Sequence, residues 1–140
     1  MKDNLFRLFT GLHRSIFNAT KGRLLGKMAG MPVVMLTTTG RKSGKKRTTM
    51  LTTPVAENDR VVLVASYGGD PRQPRWFLNL RDNPDVEITM KGRRRPMRAH
   101  VATKEEKDEL WPRVVERYGG YGQYQTRTTR DIPLVILEPA

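Results

Sequence analysis

Five cations within seven residues make up the most chemically distinctive segment of this sequence. They are Arg41, Lys42, Lys45, Lys46 and Arg47, and two glycines, Gly40 and Gly44, stand among them. Glycine accepts positive φ and close backbone approach, so backbone N–H groups and cationic side chains can converge on one point. Such a turn is suited to binding an anion. The alternative is a solvated basic turn, which is the commoner role of an isolated run of charge.

Phenol side chains mark a second segment of interest. Tyr118, Tyr121 and Tyr124 recur at every third residue beside several glycines, and we predict a tyrosine- and glycine-rich loop over residues 119–129. Three phenols in such a segment are more typical of a pocket wall than of a core. A phenol can donate a hydrogen bond to a carbonyl, nitro or quinone oxygen.

Three other segments allow both a functional and a structural interpretation. The sequence Ser66-Tyr67-Gly68-Gly69 follows an apolar run and could expose backbone N–H groups to a ligand, or it could be a plain turn. Trp76 could stack on a ring or belong to the core. The second basic cluster is most simply a solvated hairpin, and it consists of Lys91, Arg93, Arg94, Arg95 and Arg98.

Composition excludes several classes of function. The chain has 140 residues, a net charge of +12 and no cysteine, and its two histidines are far apart. Disulfides, thiolate catalysis and cysteine-ligated metals are therefore excluded, and a histidine metal site has little material. The charge calls for an anionic partner. Because no catalytic triad or carboxylate pair is apparent, any difficult chemistry would come from a cofactor.

The elements that would position these residues are mostly strands. Apolar or β-branched runs predict strands at 33–39, 48–56, 60–66, 86–91, 94–102 and 132–137. A short helix is predicted at 76–80 and a longer one at 103–118, which begins with the capping box of Thr103 and Glu106. About six antiparallel strands with few helices predict a mainly β (α+β) fold, a small barrel.

The first 30 residues form a compositional zone of their own, followed by a barrel domain at 31–140. Leu5, Leu8, Phe9, Leu12 and Ile16 follow helical spacing among basic residues. A basic amphipathic helix of this kind can lie on an anionic membrane, or its apolar stripe can pack on the domain. With no apolar run long enough to span a bilayer and no signal peptide, we expect a cytoplasmic protein, peripheral on the inner face of the membrane.

Several motifs together resemble the deazaflavin-dependent nitroreductase family of actinobacteria. They are residues 37–44 followed by Arg47, residues 64–69, residues 74–80 with Asn83-Pro84, and residues 110–112 leading to the three tyrosines. The resemblance covers nearly everything from about residue 31 onward. It implies a split β-barrel of the FMN-binding type and the 8-hydroxy-5-deazaflavin coenzyme F420, which delivers hydride to a menaquinone-like quinone, a nitro compound or an enone.

The resemblance also implies site residues. In the cofactor site, the basic turn and the strand after it hold the phosphate and one side of the cofactor, residues 64–67 follow the ring edge, and residues 75–79 close the site. The cofactor-binding residues so implied are Arg41, Lys42, Ser43, Arg47, Thr48, Thr49, Met50, Leu51, Thr52, Val64, Ala65, Ser66, Tyr67, Arg75, Trp76, Phe77, Leu78, Asn79 and Tyr121. The candidate catalytic residues are Ser66, Tyr118, Tyr121 and Tyr124, and no metal is implied.

Two rival interpretations remain at the level of sequence. A basic barrel without catalysis could bind nucleic acid, although barrel-type RNA binders usually display aromatic side chains on strand faces. The same fold could instead use FMN. Two positions depart from the family pattern: Tyr67 stands where relatives often have lysine, and Thr52 replaces the tyrosine of the nitroimidazole-activating relative.

Overall fold

The computed structural model describes residues 27–28 and 31–140. The apolar stripe predicted within residues 5–16 lies outside the described residues. The strands are β1 (Lys27–Met28), β2 (Met31–Thr39), β3 (Lys46–Thr52), β4 (Val55–Glu57), β5 (Arg60–Val64), β6 (Asp85–Met90), β7 (Arg93–Val101) and β8 (Leu134–Pro139). The helices are α1 (Arg75–Asp82), α2 (Lys104–Arg117) and α3 (Gly120–Thr126), and a 3₁₀ turn covers Tyr67–Gly69.

The strands form one antiparallel sheet, which confirms the prediction of a mainly β fold. Its order is β1-β2-β6-β7-β8-β5-β4, and β3 pairs with β2 beside this path. Within the described part of the chain, β3 pairs with β2 alone and β4 with β5 alone, so the pairing does not close into a ring. The basic segment connects β2 to β3 as a hairpin turn, as its position between two apolar runs predicts.

The predicted count of about six strands is too low, since eight occur among the described residues. One reason is that the strand predicted at 48–56 is interrupted at Thr53-Pro54 and forms β3 and β4. Proline lacks the N–H that a continuous ladder would use. The Thr53 hydroxyl donates to the carbonyls of Val55 and Val62, at 2.8 and 2.7 Å, and so fixes the corner. The other added strand is β1, which lies inside the predicted N-terminal zone and pairs with β2.

The prediction of a loop at 119–129 is wrong over Gly120–Thr126, which is helix α3. Glycine disfavours helix, and several glycines in this segment favoured a loop. A spacing of three residues is nevertheless one that places side chains on the same side of a helix. Burial of Tyr121, 6% exposed, provides the tertiary contact that favours the helix over the local preference.

Two hydrophobic clusters hold the layers together. In the first, Trp76 and Leu80 of α1 pack against one face of the sheet, with Leu36 and Leu63. In the second, α2 and α3 cover the opposite side of β5 and β8, and its buried members include Leu110, Tyr121 and Ile136. Full burial of one such side chain stabilises the fold by about 1.5–3 kcal/mol. The sheet therefore holds α1 on one side and the tyrosine-bearing helix on the other.

Candidate active site

The β2–β3 turn has a fixed backbone and exposed cations. The N–H of Gly40 donates to the Lys45 carbonyl at 2.7 Å, and the N–H of Gly44 donates to the Gly40 carbonyl at 2.8 Å. Gly44 has a φ of +72°, a conformation that side chains disfavour. The Ser43 hydroxyl accepts from the Lys45 N–H at 3.1 Å. Ser43 is thus part of the turn's own hydrogen bonding, although sequence reasoning assigned it to the cofactor.

Helix α1 fixes this turn through Asn79. The Asn79 side chain accepts from the Arg41 N–H at 3.1 Å, and its amide donates to the Thr38 hydroxyl at 3.1 Å. Both Asn79 and Thr38 are buried, at 8% and 1% exposure. Asn79, a predicted cofactor contact, thus links α1 to the basic turn. Thr38 is a site-positioning residue that sequence reasoning missed.

None of the five cations of the turn has an ion-pair partner in the described part of the chain. The ion pairs formed there involve other basic residues, such as Arg94, Arg95 and Arg98 of β7. Arg41, Lys42 and Arg47 are exposed. A cluster of cations without carboxylates carries a positive potential that attracts an anionic ligand.

Strand β3 divides its predicted site residues between two faces, because successive strand side chains point to opposite sides. Thr48 contacts Thr37 at 3.0 Å between hydroxyl oxygens, and Met50 packs with Val33 and Met35. Leu51 packs on the first hydrophobic cluster, with α1. Thr48, Met50 and Thr52 therefore share one face, and Arg47, Thr49 and Leu51 share the other.

The three tyrosines lie close together, as the prediction that they form one pocket wall requires. The rings of Tyr118 and Tyr121 meet edge to face at 5.1 Å, and Tyr124 lies 6.1 Å from Tyr121 and 6.4 Å from Tyr118, between ring centroids. The Tyr121 hydroxyl lies 3.3 Å from the Thr52 hydroxyl. This contact joins the tyrosine cluster, as we call these three residues, to the strand that leaves the basic turn.

Tyr121 and Tyr124 are neutral phenols at ordinary pH. Burial is the main cause that raises the pKa of Tyr121, aided by the proximity of Tyr118. A hydrogen bond with Tyr118, together with burial, raises the pKa of Tyr124 to about 12. Each hydroxyl therefore keeps its proton, and can donate it in a hydrogen bond.

The segment between β5 and α1 lies against α3. Gly69 has a φ of +80°, and a Cβ there would come within 2.8 Å of the Tyr124 carbonyl oxygen, so only glycine fits. Ser66 precedes the 3₁₀ turn, is 7% exposed, and does not cap the turn with its hydroxyl. The Arg130 guanidinium also holds this segment through the carbonyls of Ala65 and Ser66. No motif indicated Arg130 in the sequence.

The remaining predicted site residues separate into buried and exposed groups. Trp76, Phe77 and Ala65 belong to the first hydrophobic cluster, and Leu78 packs against it, while Val64 belongs to the second. Arg75 is exposed, and the Tyr67 ring lies 5.5 Å from the Arg72 guanidinium. The structural interpretation of Trp76 is therefore the correct one for its side chain. Among the described residues no group of histidine and carboxylate side chains could hold a metal ion.

Comparison with known proteins identifies the family of this chain. The chain matches the sequence profile of the F420H(2)-dependent quinone reductase family over residues 9–139. It is 42% identical over 130 residues to an F420H(2)-dependent quinone reductase of Mycobacterium tuberculosis, covering 90% of this chain and 87% of that protein. Its fold is similar to that of an F420-H2 dependent reductase, FDR-A, with a TM-score of 0.69, 42% identity, and coverage of 76% of this chain and 94% of that chain. A second solved structure, described as a domain-swapped dimer, gives a TM-score of 0.70 and 38% identity over 89% of this chain and 98% of that chain.

The chain belongs to the F420H(2)-dependent quinone reductase family. Membership confirms three predictions from the sequence: the deazaflavin-dependent family, an oxidoreductase, and coenzyme F420 as cofactor. Membership also favours F420 over FMN, and a reductase over a nucleic-acid-binding barrel.

The described residues fit an anionic cofactor of this kind. Cations that form no ion pair within the described part of the chain suit a phosphate and carboxylates, and Asn79 holds the turn through a backbone N–H and the Thr38 hydroxyl, without using a cationic side chain. Hydroxyls of Thr48 and Thr52 on one face of β3 provide neutral hydrogen-bonding groups along the way to the tyrosines.

Proposed function

We propose that this chain reduces a quinone-type acceptor, with menaquinone as the natural class, at the expense of reduced F420. One observation carries the proposal: β3 begins at cations that form no ion pair among the described residues, and it ends at the Thr52–Tyr121 contact. Lys46 and Thr52 lie on the same face of β3 and are six residues apart, about 20 Å at a strand rise of about 3.3 Å per residue. That length suits a ligand with an anionic tail distant from a redox-active ring.

In this proposal the basic turn binds the anionic part of F420. Arg41, Lys42 and Arg47 would supply charged hydrogen bonds, and Thr48 and Thr52 would meet the cofactor along β3. Reduced F420 supplies a hydride when it is bound. The protein itself then has to bind the acceptor, exclude water and place a proton donor.

The tyrosine cluster is the acceptor side of the proposed site. Tyr121 is buried and its hydroxyl is already bonded to Thr52, whereas Tyr118 and Tyr124 are half-buried and reachable. A neutral phenol donates a hydrogen bond to an acceptor oxygen, as quinone reduction requires. Nitro compounds and enones present a similar oxygen, so we include them as acceptors of the same site.

Replacement of each tyrosine by phenylalanine tests this proposal, because the substitution deletes the hydroxyl and keeps the ring. Turnover of a soluble menaquinone analogue with reduced F420 should fall at least about tenfold in Tyr118→Phe or Tyr124→Phe, since a positioned proton donor contributes about 10²–10⁴-fold. F420 affinity, measured by fluorescence titration, should stay nearly unchanged in both. Wild-type turnover in all three variants would remove the phenols from the reaction and leave solvent as the proton source.

We also propose that the sheet corresponds to a split β-barrel. Supporting this is the likeness, in fold alone, to a Clostridium acetobutylicum protein of the pyridoxinephosphate oxidase family, at a TM-score of 0.54 and 14% identity. An experimental structure would test it by showing whether β3 approaches β4 across the gap that the described pairing leaves.

A last proposal is that the basic amphipathic sequence at the N-terminus contacts an anionic membrane on the cytoplasmic side. Support comes from its sequence alone, because residues 1–26 lie outside the described residues. None of the helices that the structure describes is long and apolar enough to cross a membrane. Deletion of residues 1–26, which spares β1, should abolish co-sedimentation with anionic vesicles and leave F420 binding intact. Unfolding of the truncated protein would favour packing on the domain instead.

A further inference from the structure

One guanidinium, that of Arg130, holds the whole segment that connects β5 to α1. Its Nη2 donates to the carbonyls of Ala65 and Ser66 at 3.1 and 2.9 Å. Its Nε donates to the Asp70 carbonyl at 3.0 Å, and its Nη1 donates to the Gln73 side chain at 2.9 Å. Four acceptors spread from the end of β5 to the start of α1 are thus fixed to a single planar group.

Arg130 is itself held by helix α3, which carries the tyrosines. The Gln125 amide donates to the Arg130 carbonyl at 2.7 Å, and its oxygen accepts from the Ile132 N–H at 2.9 Å. The Arg130 N–H donates to the Thr128 hydroxyl at 3.3 Å. Arg130 therefore links the helix of the tyrosine cluster to the segment that contains Ser66.

The held segment includes a backbone conformation that needs external support. Tyr67 has a φ of +45°, which is unfavourable for a residue with a Cβ. The Tyr67 N–H belongs to the peptide whose carbonyl, that of Ser66, accepts from Arg130. A strained residue persists where its surroundings determine its conformation, and such residues cluster at functional sites.

We propose that Arg130 is a positioning residue for the reaction, holding Ser66 and Tyr67 against the tyrosine cluster so that the acceptor binds in one orientation. The inference rests on the proposed function of this site. Arg130 does not touch the basic turn in any described contact, so its effect should fall on the acceptor and not on the anionic tail of F420. An arginine that only stabilised the fold would weaken acceptor binding and F420 binding to the same extent.

The test compares Arg130→Met and Arg130→Lys with the wild type. Arg130→Met keeps an unbranched chain and removes all four hydrogen bonds, and Arg130→Lys keeps the charge but cannot bridge the four acceptors. Arg113→Met is the matched control, because Arg113 forms one exposed ion pair with Glu57, at 2.8 Å, away from the site. Three quantities are measured: F420 affinity, KM and kcat for a menaquinone analogue, and hydrogen exchange of residues 65–74.

We expect Arg130→Met to raise KM for the quinone about tenfold or more, as displaced site residues do. Arg130→Lys should show a smaller rise and Arg113→Met none. In the Arg130 variants F420 affinity should fall by a smaller factor than the quinone KM rises, because Arg130 does not hold the basic turn proposed to bind the anionic tail. Hydrogen exchange of residues 65–74 should be faster than in the wild type in Arg130→Lys and faster still in Arg130→Met, while exchange of α2 stays constant. If Arg130→Met does not fold, Arg130→Lys undergoes the same measurements.

Two results would overturn the proposal. One is an unchanged quinone KM in the folded variants, and the other is a loss of F420 affinity that parallels the loss of activity. Failure of the proposed function is a separate result, because it shows as no quinone reduction by the wild type. The exchange measurement does not depend on turnover, so it still decides whether Arg130 holds the segment.

Discussion

The molecule has two basic hairpins with five cations each, and the hairpins differ in whether those cations form ion pairs. The β2–β3 turn carries five cations, none of them in an ion pair within the described part of the chain. On the β6–β7 hairpin, Arg94 pairs with Glu87, Arg98 with Asp85 at 2.8 Å, and Arg95 with Asp59 at 3.2 Å. Counting charges in the sequence cannot separate the two hairpins, whereas the pairing of their cations can.

The backbones of the two hairpins are also held differently. The β2–β3 turn is fixed by a buried asparagine from α1, and the β6–β7 hairpin ends in a tight turn at Lys91 and Gly92, both with positive φ. A fixed turn whose cations form no ion pair among the described residues suits an anionic ligand. The β6–β7 hairpin, in which Arg94, Arg95 and Arg98 already have carboxylate partners, gains less from an anion, because it would have to lose those pairs.

The largest contrast is expected from double alanine substitutions in each hairpin. Lys42→Ala with Arg47→Ala should weaken F420 binding by more than about tenfold, since each charged hydrogen bond is worth about 1.5–3 kcal/mol. The loss should be greater at low ionic strength, where screening is weak. The matched control, Arg94→Ala with Arg98→Ala, should leave the affinity within about twofold. Equal losses in both double variants, measured by fluorescence titration, would abolish the distinction between the hairpins.

A smaller effect is expected when the support of the basic turn is removed and its charges are kept. Asn79→Ala deletes the bonds to the Arg41 N–H and the Thr38 hydroxyl, and should lower the free energy of unfolding by about 1–3 kcal/mol. F420 affinity should fall several-fold at unchanged net charge. The control is Asn83→Ala, which removes one bond to the Asp85 N–H at 3.3 Å. An unaltered affinity in folded Asn79→Ala would mean that charge alone, without a fixed backbone, distinguishes the β2–β3 turn.

The tyrosine cluster is a third region, and it is uncharged at neutral pH. Its contribution to stability can be tested by varying the pH. The pKa of Tyr124 is raised from 10.0 to about 12, so between these values the folded protein keeps a proton that the unfolded chain loses. Stability from this source is complete below pH 10.0 and falls as the pH rises towards 12. Urea unfolding at several pH values should show a shallower alkaline decline in Tyr124→Phe than in the wild type. Identical declines would contradict the shift.

The smallest effect is expected from the paired hairpin itself. Arg98→Ala breaks an exposed ion pair with Asp85, and such pairs contribute about 0–1 kcal/mol to stability. The free energy of unfolding, measured with urea, should therefore change little, and its dependence on salt concentration should decrease. A loss well above this range would show that the pairs of the β6–β7 hairpin stabilise the sheet more than surface pairs usually do.

The sequence was informative where local patterns agree with tertiary structure. The strands beside the basic turn follow from apolar runs, α2 begins at the predicted capping box with Thr103 and Glu106 bonded both ways, and α1 carries its predicted aromatic residues. The family resemblance supplied the cofactor. These features depend on neighbouring residues or on a joint set of motifs, and a sequence states both directly.

What the sequence did not predict depends on contacts between distant segments. Asn79 meets Thr38 across 41 positions, and Arg130 meets Ala65 across 65. Neither pairing has a local signal. Helix α3 was mistaken for a loop because its glycines count against helix, and the burial of Tyr121 that overrides them is a tertiary property.

Strand β8 has a consequence for the order in which this protein folds. Among the described strands, the β4–β5 hairpin joins the rest of the sheet only through β8, which lies between β5 and β7. Val62 pairs with Ile136, a contact between segments far apart in the chain, and closing so long a loop is slow. The β2–β3 and β6–β7 hairpins can pair earlier, because β2 contacts both β3 and β6 directly. We therefore expect β5 and β8 to pair late, so that a nascent chain can display its cationic turn before its sheet is complete.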